Sequence, residues 1–376
     1  FFQAEDGIRD VAVTGVQTCA LPICWESGHP WIYVSDVTDT NGAQPGEVVQ
    51  VVNPRGKFLG IAHYSSTSQI ALRLLTRRNE PIDASFLRAR IKAAVDYRHQ
   101  IVADSDAYRV IFSEADALPG LIVDRYADTY VLQALDQGMD AMTSLIRDCL
   151  SELVSPSGIL ARNDASVRRL EGLPQTVETL AGTVPERVEI RMNGLRLEAD
   201  LLKGQKTGVY LDQRENYVAA AKHARGRVLD CFTSTGGFAL HMAGKVESVE
   251  AIDSSALAIQ AAKSNAALNS ITNVEWREAD VFDYLPGLGR KFDTIVLDPP
   301  AFAKSKKEVE AGLRGYRKLA RLAAAAVAPN GWLLIASCSH NVAMDAFIEQ
   351  VGRGIHDAGR ASRIVRTAGA GADHPI

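Results

Sequence analysis

Two stretches of this chain place reactive groups at the ends of apolar runs. Leu297-Asp298-Pro299-Pro300 closes one run with two consecutive prolines, which lock the backbone into an extended, rigid turn. Such a turn can hold the edge of a planar heterocycle against the Asp298 carboxylate and backbone carbonyls. A second run ends at Ser337-Cys338-Ser339-His340 and brings a thiol to the same sheet edge. Cysteine alone is most often a small buried hydrophobe, and Asp-Pro-Pro alone is often a turn with a helix-capping aspartate. Together they suit one chemistry. Carbon 5 of a pyrimidine is a poor nucleophile until something adds to carbon 6, and a cysteine thiolate adds there covalently. An ordinary thiol has a pKa of about 8.5, so the site must lower that value or deprotonate the thiol during attack.

Upstream, Val228-Leu229-Asp230-Cys231-Phe232-Thr233-Ser234-Thr235-Gly236-Gly237-Phe238 runs from a buried strand through a glycine turn into a helix. The glycines let a ligand approach the backbone closely. The G-x-G-x-x-G of dinucleotide-binding loops is absent, and Asp230 at the strand end would repel a pyrophosphate. An acidic strand end suits a cationic ligand, and S-adenosylmethionine offers an ammonium and a sulfonium. Asp253 closes the next strand, where a carboxylate can accept both ribose hydroxyls. Asp280 follows the third strand-like run, placed to face an adenine. Taken singly, each aspartate reads equally well as a cap; their order along the chain favours the cofactor.

The elements that must position these groups alternate. Apolar strands at Arg227 to Asp230, Ser248 to Ile252, Thr294 to Leu297 and Trp332 to Ser337 are separated by helical segments, which predicts an α/β, doubly wound, mostly parallel sheet. Ligands of such sheets sit beyond the carboxyl ends of the strands. Before it, short β-like runs (Glu47 to Val52, Phe58 to His63, Ile70 to Leu75) between turn signals predict a small β-barrel-like domain. A helix over 85–103, strands near Tyr108 to Phe112, Leu121 to Val123 and Tyr130 to Gln133, and a helix near Met139 to Leu153 predict an α+β middle domain. Alternating apolar residues after Asn193-Gly194 predict a hairpin leading into the last domain.

Composition sets the outer bounds. At 376 residues, 47% hydrophobic and 23% charged, the chain has room for two or three cores, and no apolar run reaches the roughly 20 residues of a membrane span. Five cysteines without C-x-x-C spacing argue against a zinc site or a disulfide framework and fit a reducing cytoplasm. A formal charge of −4 leaves any nucleic-acid contact to local basic groups such as Arg55, Lys57, Arg73, Arg77 and Arg78. Residues 1–23 resemble the conceptual translation of a sequencing-library index primer, with Val11 and Ala12 as the variable index, and are set aside from the expected fold.

From Gly28 onward the chain resembles the RlmI-like cytosine-5 methyltransferases of large-subunit ribosomal RNA. Gly28-His29-Pro30-Trp31 and Phe58-Leu59-Gly60 are similar to the PUA RNA-binding domain of that family. Glu114 to Tyr126 and Arg162-Asn163-Asp164 are similar to its middle domain, and Gly204-Gln205-Lys206-Thr207-Gly208-Val209-Tyr210-Leu211-Asp212-Gln213-Arg214 is the most specific stretch. Beyond the adapter-like segment at 1–23, the resemblance implies a PUA-like domain at 24–80, a middle domain at 81–185 and an S-adenosylmethionine-dependent methyltransferase domain at 186–376. It implies Cys338 as the attacking thiol and Asp298 as its partner. It further implies a cofactor lined by Lys206, Tyr210, Gln213, Arg214, Asp230, Phe232, Thr235, Gly236, Gly237, Asp253, Ser254, Asp280 and Asp298. Large-subunit ribosomal RNA is the expected partner, no metal or membrane is expected, and a homodimer is compatible.

This chain departs from the family in three places. Thr233-Ser234-Thr235-Gly236-Gly237 stands where S-Y-T-G-G is usual, Ala301 follows Asp-Pro-Pro where a Lys is common, and the sequence stops at Ala372 to Ile376 where the family continues. Rival expectations are a guanine-nitrogen-7 enzyme, which would lack Cys338, an exocyclic-amine enzyme, which would carry an aromatic in place of Ala301, and a uracil-5 enzyme with the same thiol chemistry. A non-catalytic RNA-binding ribosome-assembly factor is the alternative outside enzymes.

Overall fold

The structure is a computed structural model that describes residues 15–18, 28–204 and 207–375. It divides into two compact units. One takes in the chain up to Ile190 with Ala199–Asp212 and the residues from Ala372; the other takes in Arg191–Glu198 and Gln213–Gly371.

The first unit contains two sheets. Val48–Val52, Phe58–Tyr64 and Ile70–Thr76 pair antiparallel, as the alternating apolar pattern predicts, and enclose Val49, Val51, Ala62 and Leu72. Gly15–Thr18, from the stretch set aside on sequence grounds, completes this sheet by running parallel to Val48–Val52 and antiparallel to Val37–Asp39, with Val16 fully buried. The physical reason is that exposed strand edges offer backbone N–H and C=O groups to an extended segment, and Val16 adds a side chain to the core on the inner face. The second sheet has the spatial order Thr176–Gly182, Gly158–Asn163, Thr129–Ala134, Leu121–Tyr126, Ala107–Phe112. Helix Ala84–Ile101 covers it through Leu87, Ile91, Ala94 and Val95. The helix expected near Met139 to Leu153 is two, Gln137–Ala141 and Thr143–Val154, the first ending and the second starting afresh at Met142.

In the second unit α1 (Arg214–His223) leads into β1 (Arg227–Cys231). Then follow α2 (Gly237–Ala243), β2 (Ser248–Asp253), α3 (Ala256–Leu268), β3 (Val274–Glu278), α4 (Val281–Tyr284), β4 (Phe292–Leu297), α5 (Val309–Ala326), β5 (Val327–Ile335) and α6 (Met344–Asp357). The strands are all parallel, in the order β3-β2-β1-β4-β5. Helices on both faces explain why β1 and β4 read as nearly unbroken apolar runs. Leu229, Ile252, Ile295 and Leu297 meet Leu319 and Ala323 of α5 in the core. The order reverses between β1 and β4, and the crevice at such a switch point is where a doubly wound sheet binds its ligand. Asp230 and Asp298 both stand there.

The fifth strand begins earlier and ends earlier than the sequence pattern indicates. Asn330 takes a left-handed conformation (φ 60°) and the register against β4 shifts, yet pairing resumes from Trp332 to Ile335. Ser337 and Cys338 therefore lie on the turn that follows β5. No helix among the described residues is long and apolar enough to cross a membrane.

Candidate active site

Asp230 is the most constrained group at the switch point. Its carboxylate is completely buried; Oδ2 accepts from the Thr233 hydroxyl at 2.6 Å and from the Ala239 amide at 3.0 Å. Its Oδ1 is buried with no hydrogen-bond partner among the described residues. Burial pushes this carboxyl up to about 7, the Thr233 and Ala239 bonds pull it down, and the nearby Asp298 and Asp253 carboxylates push it up. A buried, unsatisfied, anionic oxygen costs free energy until a donor or a cation meets it.

The turn after β1 is shaped for close approach. Phe232 and Ser234 both have left-handed backbone (φ 63° and 48°), and Gly236 has φ 90°. A Cβ on Gly236 would sit 2.9 Å from the Trp276 ring of β3, and one on Gly237 would sit 2.5 Å from the Tyr217 ring of α1. These are the places where only glycine fits. Thr235 has its carbonyl held by the Asn265 side chain at 3.0 Å. Asp253 ends β2 with Oδ2 accepting from the Ser234 amide and Oδ1 from the Ser255 amide, both at 2.9 Å. It thereby ties the glycine turn to its own strand and leaves further lone pairs for a ligand, while Ser254 beside it is exposed. Asp280 is exposed and caps α4 by accepting from the Phe282 amide at 2.7 Å.

Asp298 closes β4. The Gln213 side-chain amide donates to both of its oxygens, at 3.3 and 3.2 Å, and Asn216 in turn holds the Gln213 oxygen at 2.8 Å. Arg214 is buried, with a guanidinium nitrogen 3.2 Å from Glu215. Tyr210 is half-buried and belongs to the first unit; Lys206 lies outside the described residues. The thiol of Cys338 is exposed, with Sγ 3.7 Å from the Pro299 carbonyl oxygen, so the thiol turn and the Asp-Pro-Pro turn adjoin as the sequence suggested. Cys149 and Cys231 are buried and burial pushes both thiols up, which disfavours the thiolate form of each; Cys19 and Cys24 lie outside the described residues.

Sequence reasoning missed the groups that support these residues from behind. Thr233, Asn265, Tyr217 and Trp276 hold or shape the glycine turn, and Tyr316 of α5 bonds to the serines on either side of Cys338. The one available signal was a tyrosine on the apolar face of α5, since a buried phenol requires a partner. Phe302, two residues past Pro300, turns inward, its ring 4.7 Å from that of Tyr316. Of the basic groups expected to meet RNA, Arg55, Lys57, Arg77 and Arg78 are exposed, but Arg73 is not: it is buried in an ion pair with Glu171 at 2.7 Å. Among the described residues no cluster of His, Cys, Asp or Glu could hold a metal ion.

A family model for PUA-like domains matches residues 25–77, and one for S-adenosylmethionine-dependent methyltransferases matches residues 150–365. Ribosomal RNA large subunit methyltransferase I of Shewanella denitrificans is 38% identical over 93% of this chain and 92% of its own length. The protein of the same name from Tolumonas auensis is 37% identical over 93% of this chain and 91% of its own length. Among solved structures, the methyltransferase SMU.776, crystallised with SAH, superposes with a TM-score of 0.82 at 19% identity, over 97% of this chain and 96% of that one. A SAM-dependent methyltransferase from Streptococcus mutans superposes with a TM-score of 0.79 at 19% identity, over 96% and 95% of the two chains. The fold, the unsatisfied Asp230 oxygen and the glycine cradle fit S-adenosylmethionine, and the chain belongs to the S-adenosylmethionine-dependent methyltransferases, in the family of those large-subunit relatives.

Proposed function

We propose that this chain methylates carbon 5 of a cytosine in large-subunit ribosomal RNA through a covalent bond from Cys338. The observation that carries the reading is the placement of an exposed thiol 3.7 Å from the Asp-Pro-Pro turn, at the carboxyl edge of a methyltransferase sheet. The RNA class comes from the relatives, which carry the name ribosomal RNA large subunit methyltransferase I.

Asp230, Gly236, Gly237 and Asp253, with Phe232, Thr235, Ser254 and Asp280 around them, are the groups that would hold the cofactor, and Gln213 keeps Asp298 aimed into the crevice. S-adenosylmethionine supplies an electrophilic methyl group when bound. The Cys338 thiolate adds to carbon 6 of the ring, and the electron pair of the 5,6 double bond becomes available at carbon 5. Once carbon 5 carries its new substituent, loss of its proton restores the double bond and expels the thiolate. Asp298 and the Pro299 carbonyl hold the amino edge of the cytosine during these steps, which charge-assisted and rigid acceptors do well. Ala301 stands where an exocyclic-amine enzyme would carry an aromatic, and the Phe302 ring that follows packs on Tyr316 at 4.7 Å, which counts against the exocyclic-amine reading.

The test compares wild type and Cys338→Ala. Wild type is expected to form a denaturation-resistant adduct with RNA containing 5-fluorocytosine, and Cys338→Ala to bind cofactor and RNA without turnover. Methyl transfer by Cys338→Ala at the wild-type rate would refute the covalent route. An adduct with 5-fluorouracil RNA alone would move the substrate to uracil.

A further inference from the structure

We infer that Tyr316 is the positioning residue of the nucleophile, a buried phenol that fixes the Cys338 turn against the Asp-Pro-Pro turn. The inference rests on the reading of Cys338 as the attacking thiol. Tyr316 is fully buried in α5, and its ring is wedged between Phe302, at 4.7 Å, and Phe347, edge-on at 5.0 Å. Packing therefore leaves the ring no freedom and puts the hydroxyl at one point. At that point it accepts from the Ser337 hydroxyl at 2.8 Å and shares a hydrogen bond with the Ser339 hydroxyl at 2.8 Å, in which either oxygen can donate. The Ser339 amide donates to Ser337 Oγ at 3.2 Å, closing a ring of bonds around the residue between them, which is Cys338.

The same network reaches the other half of the site. Ser339 Oγ accepts from the Ala303 amide at 3.2 Å, and Ala303 lies three residues past Pro300. Helix α5 can lie this close to that loop because position 312 is glycine: a Cβ there would meet the Ala303 Cβ at 3.0 Å and the Phe302 backbone at 3.1 Å. One hydroxyl thus sets two distances together, thiol turn to helix and thiol turn to Asp-Pro-Pro loop. The Cys338 side chain is exposed and on a turn beyond β5, so burial in a core does not hold it. Displacing a reacting group by about 1 Å costs on the order of a hundredfold in rate, so a device that fixes the turn of an exposed nucleophile has a kinetic purpose.

The test is single-turnover methyl transfer and the rate of adduct formation on 5-fluorocytosine RNA, for wild type, Tyr316→Phe, the Ser337→Ala/Ser339→Ala pair, and Cys338→Ala. Tyr316→Phe keeps the ring and removes the hydroxyl. It should slow both rates by roughly ten- to a hundredfold with cofactor Kd and RNA KM unchanged. A role confined to stability would instead lower Tm and leave both rates as they are in the folded protein. The serine pair should slow the rates equally, and adding Tyr316→Phe to it should cost nothing more, because the three hydroxyls act as one unit. If Tyr316→Phe does not fold, the serine pair carries the same expectation from the other end of the same bonds. Wild-type rates in the folded variants, with Cys338→Ala inactive, would overturn the positioning role and leave the covalent route standing. Activity in Cys338→Ala would overturn both.

Discussion

Replacing Asp230 by Asn and following S-adenosylmethionine binding across neutral pH isolates a single carboxylate. This group is completely buried and has its pKa pushed up to about 7, chiefly by desolvation. A cationic ligand favours the ionised form, so the complex holds the proton less tightly than the free protein does, and binding must release it. With a pKa near 7, about a tenth of the sites are ionised one pH unit below and about nine-tenths one unit above. Wild-type affinity should therefore rise nearly tenfold from about pH 6 to about pH 8, or about 1.4 kcal/mol, and the Asn variant should lack that component of the slope. Isothermal calorimetry in two buffers of different ionisation enthalpy reads both the affinity and the released proton.

Stability runs the opposite way. A carboxyl whose pKa is raised on folding contributes stability at low pH that is lost as pH rises through about 7. On the alkaline side Asp230→Asn should stabilise the cofactor-free protein, by at most roughly 4 kcal/mol, while weakening cofactor binding. Equal slopes of log Kd against pH in wild type and variant would refute the reasoning, because the ionisation of Asp230 would then not be coupled to the ligand.

Further outcomes follow from the same geometry. Asp253→Ala removes a carboxylate that accepts from the Ser234 and Ser255 amides, so cofactor affinity should fall roughly ten- to a hundredfold and Tm should drop as well. Gly236→Ala puts a Cβ at a φ of 90° and 2.9 Å from Trp276, and should cost about 1–3 kcal/mol in chemical denaturation together with cofactor binding. Arg73→Ala leaves the buried Glu171 carboxylate without its ion-pair partner and should cost about 3–5 kcal/mol. Neutralising the exposed Arg55, Lys57, Arg77 and Arg78 should instead leave Tm nearly unchanged and make the salt dependence of RNA binding shallower, by about 0.7 in logarithmic slope for each phosphate these groups neutralise.

The doubly wound sheet could be read from the chain because its signals are local. Apolar runs such as Val228-Leu229 and Ile295-Val296-Leu297, each ending in an aspartate, mark strands covered on both faces, and Asn193-Gly194 marks a hairpin turn, with φ 50° and 84°. The candidate site groups were legible for the same reason. Asp230, Asp253, Asp298 and Cys338 sit at or just past strand ends, and strand ends in a parallel sheet face one crevice whatever lies between them.

Tertiary structure decided what depends on distant partners. Arg73 lies within a strand run and Arg77 just past it, but only the fold supplies the partner that lets the first be buried: Glu171, far along the chain, while Arg77 faces water. Strand pairing took up Gly15–Thr18 because an open edge accepts an extended backbone and the alternation of this segment lets Val16 and Thr18 be buried. The pKa of Asp230 and the clamp of Tyr316 on Ser337 and Ser339 arise only when α5 closes over the loop after β4 and the sheet buries its own carboxyl edge. Residue type and spacing along the chain specify which groups can react, whereas burial and hydrogen-bond partners, which are sums over the folded surroundings, specify how strongly each is held and charged.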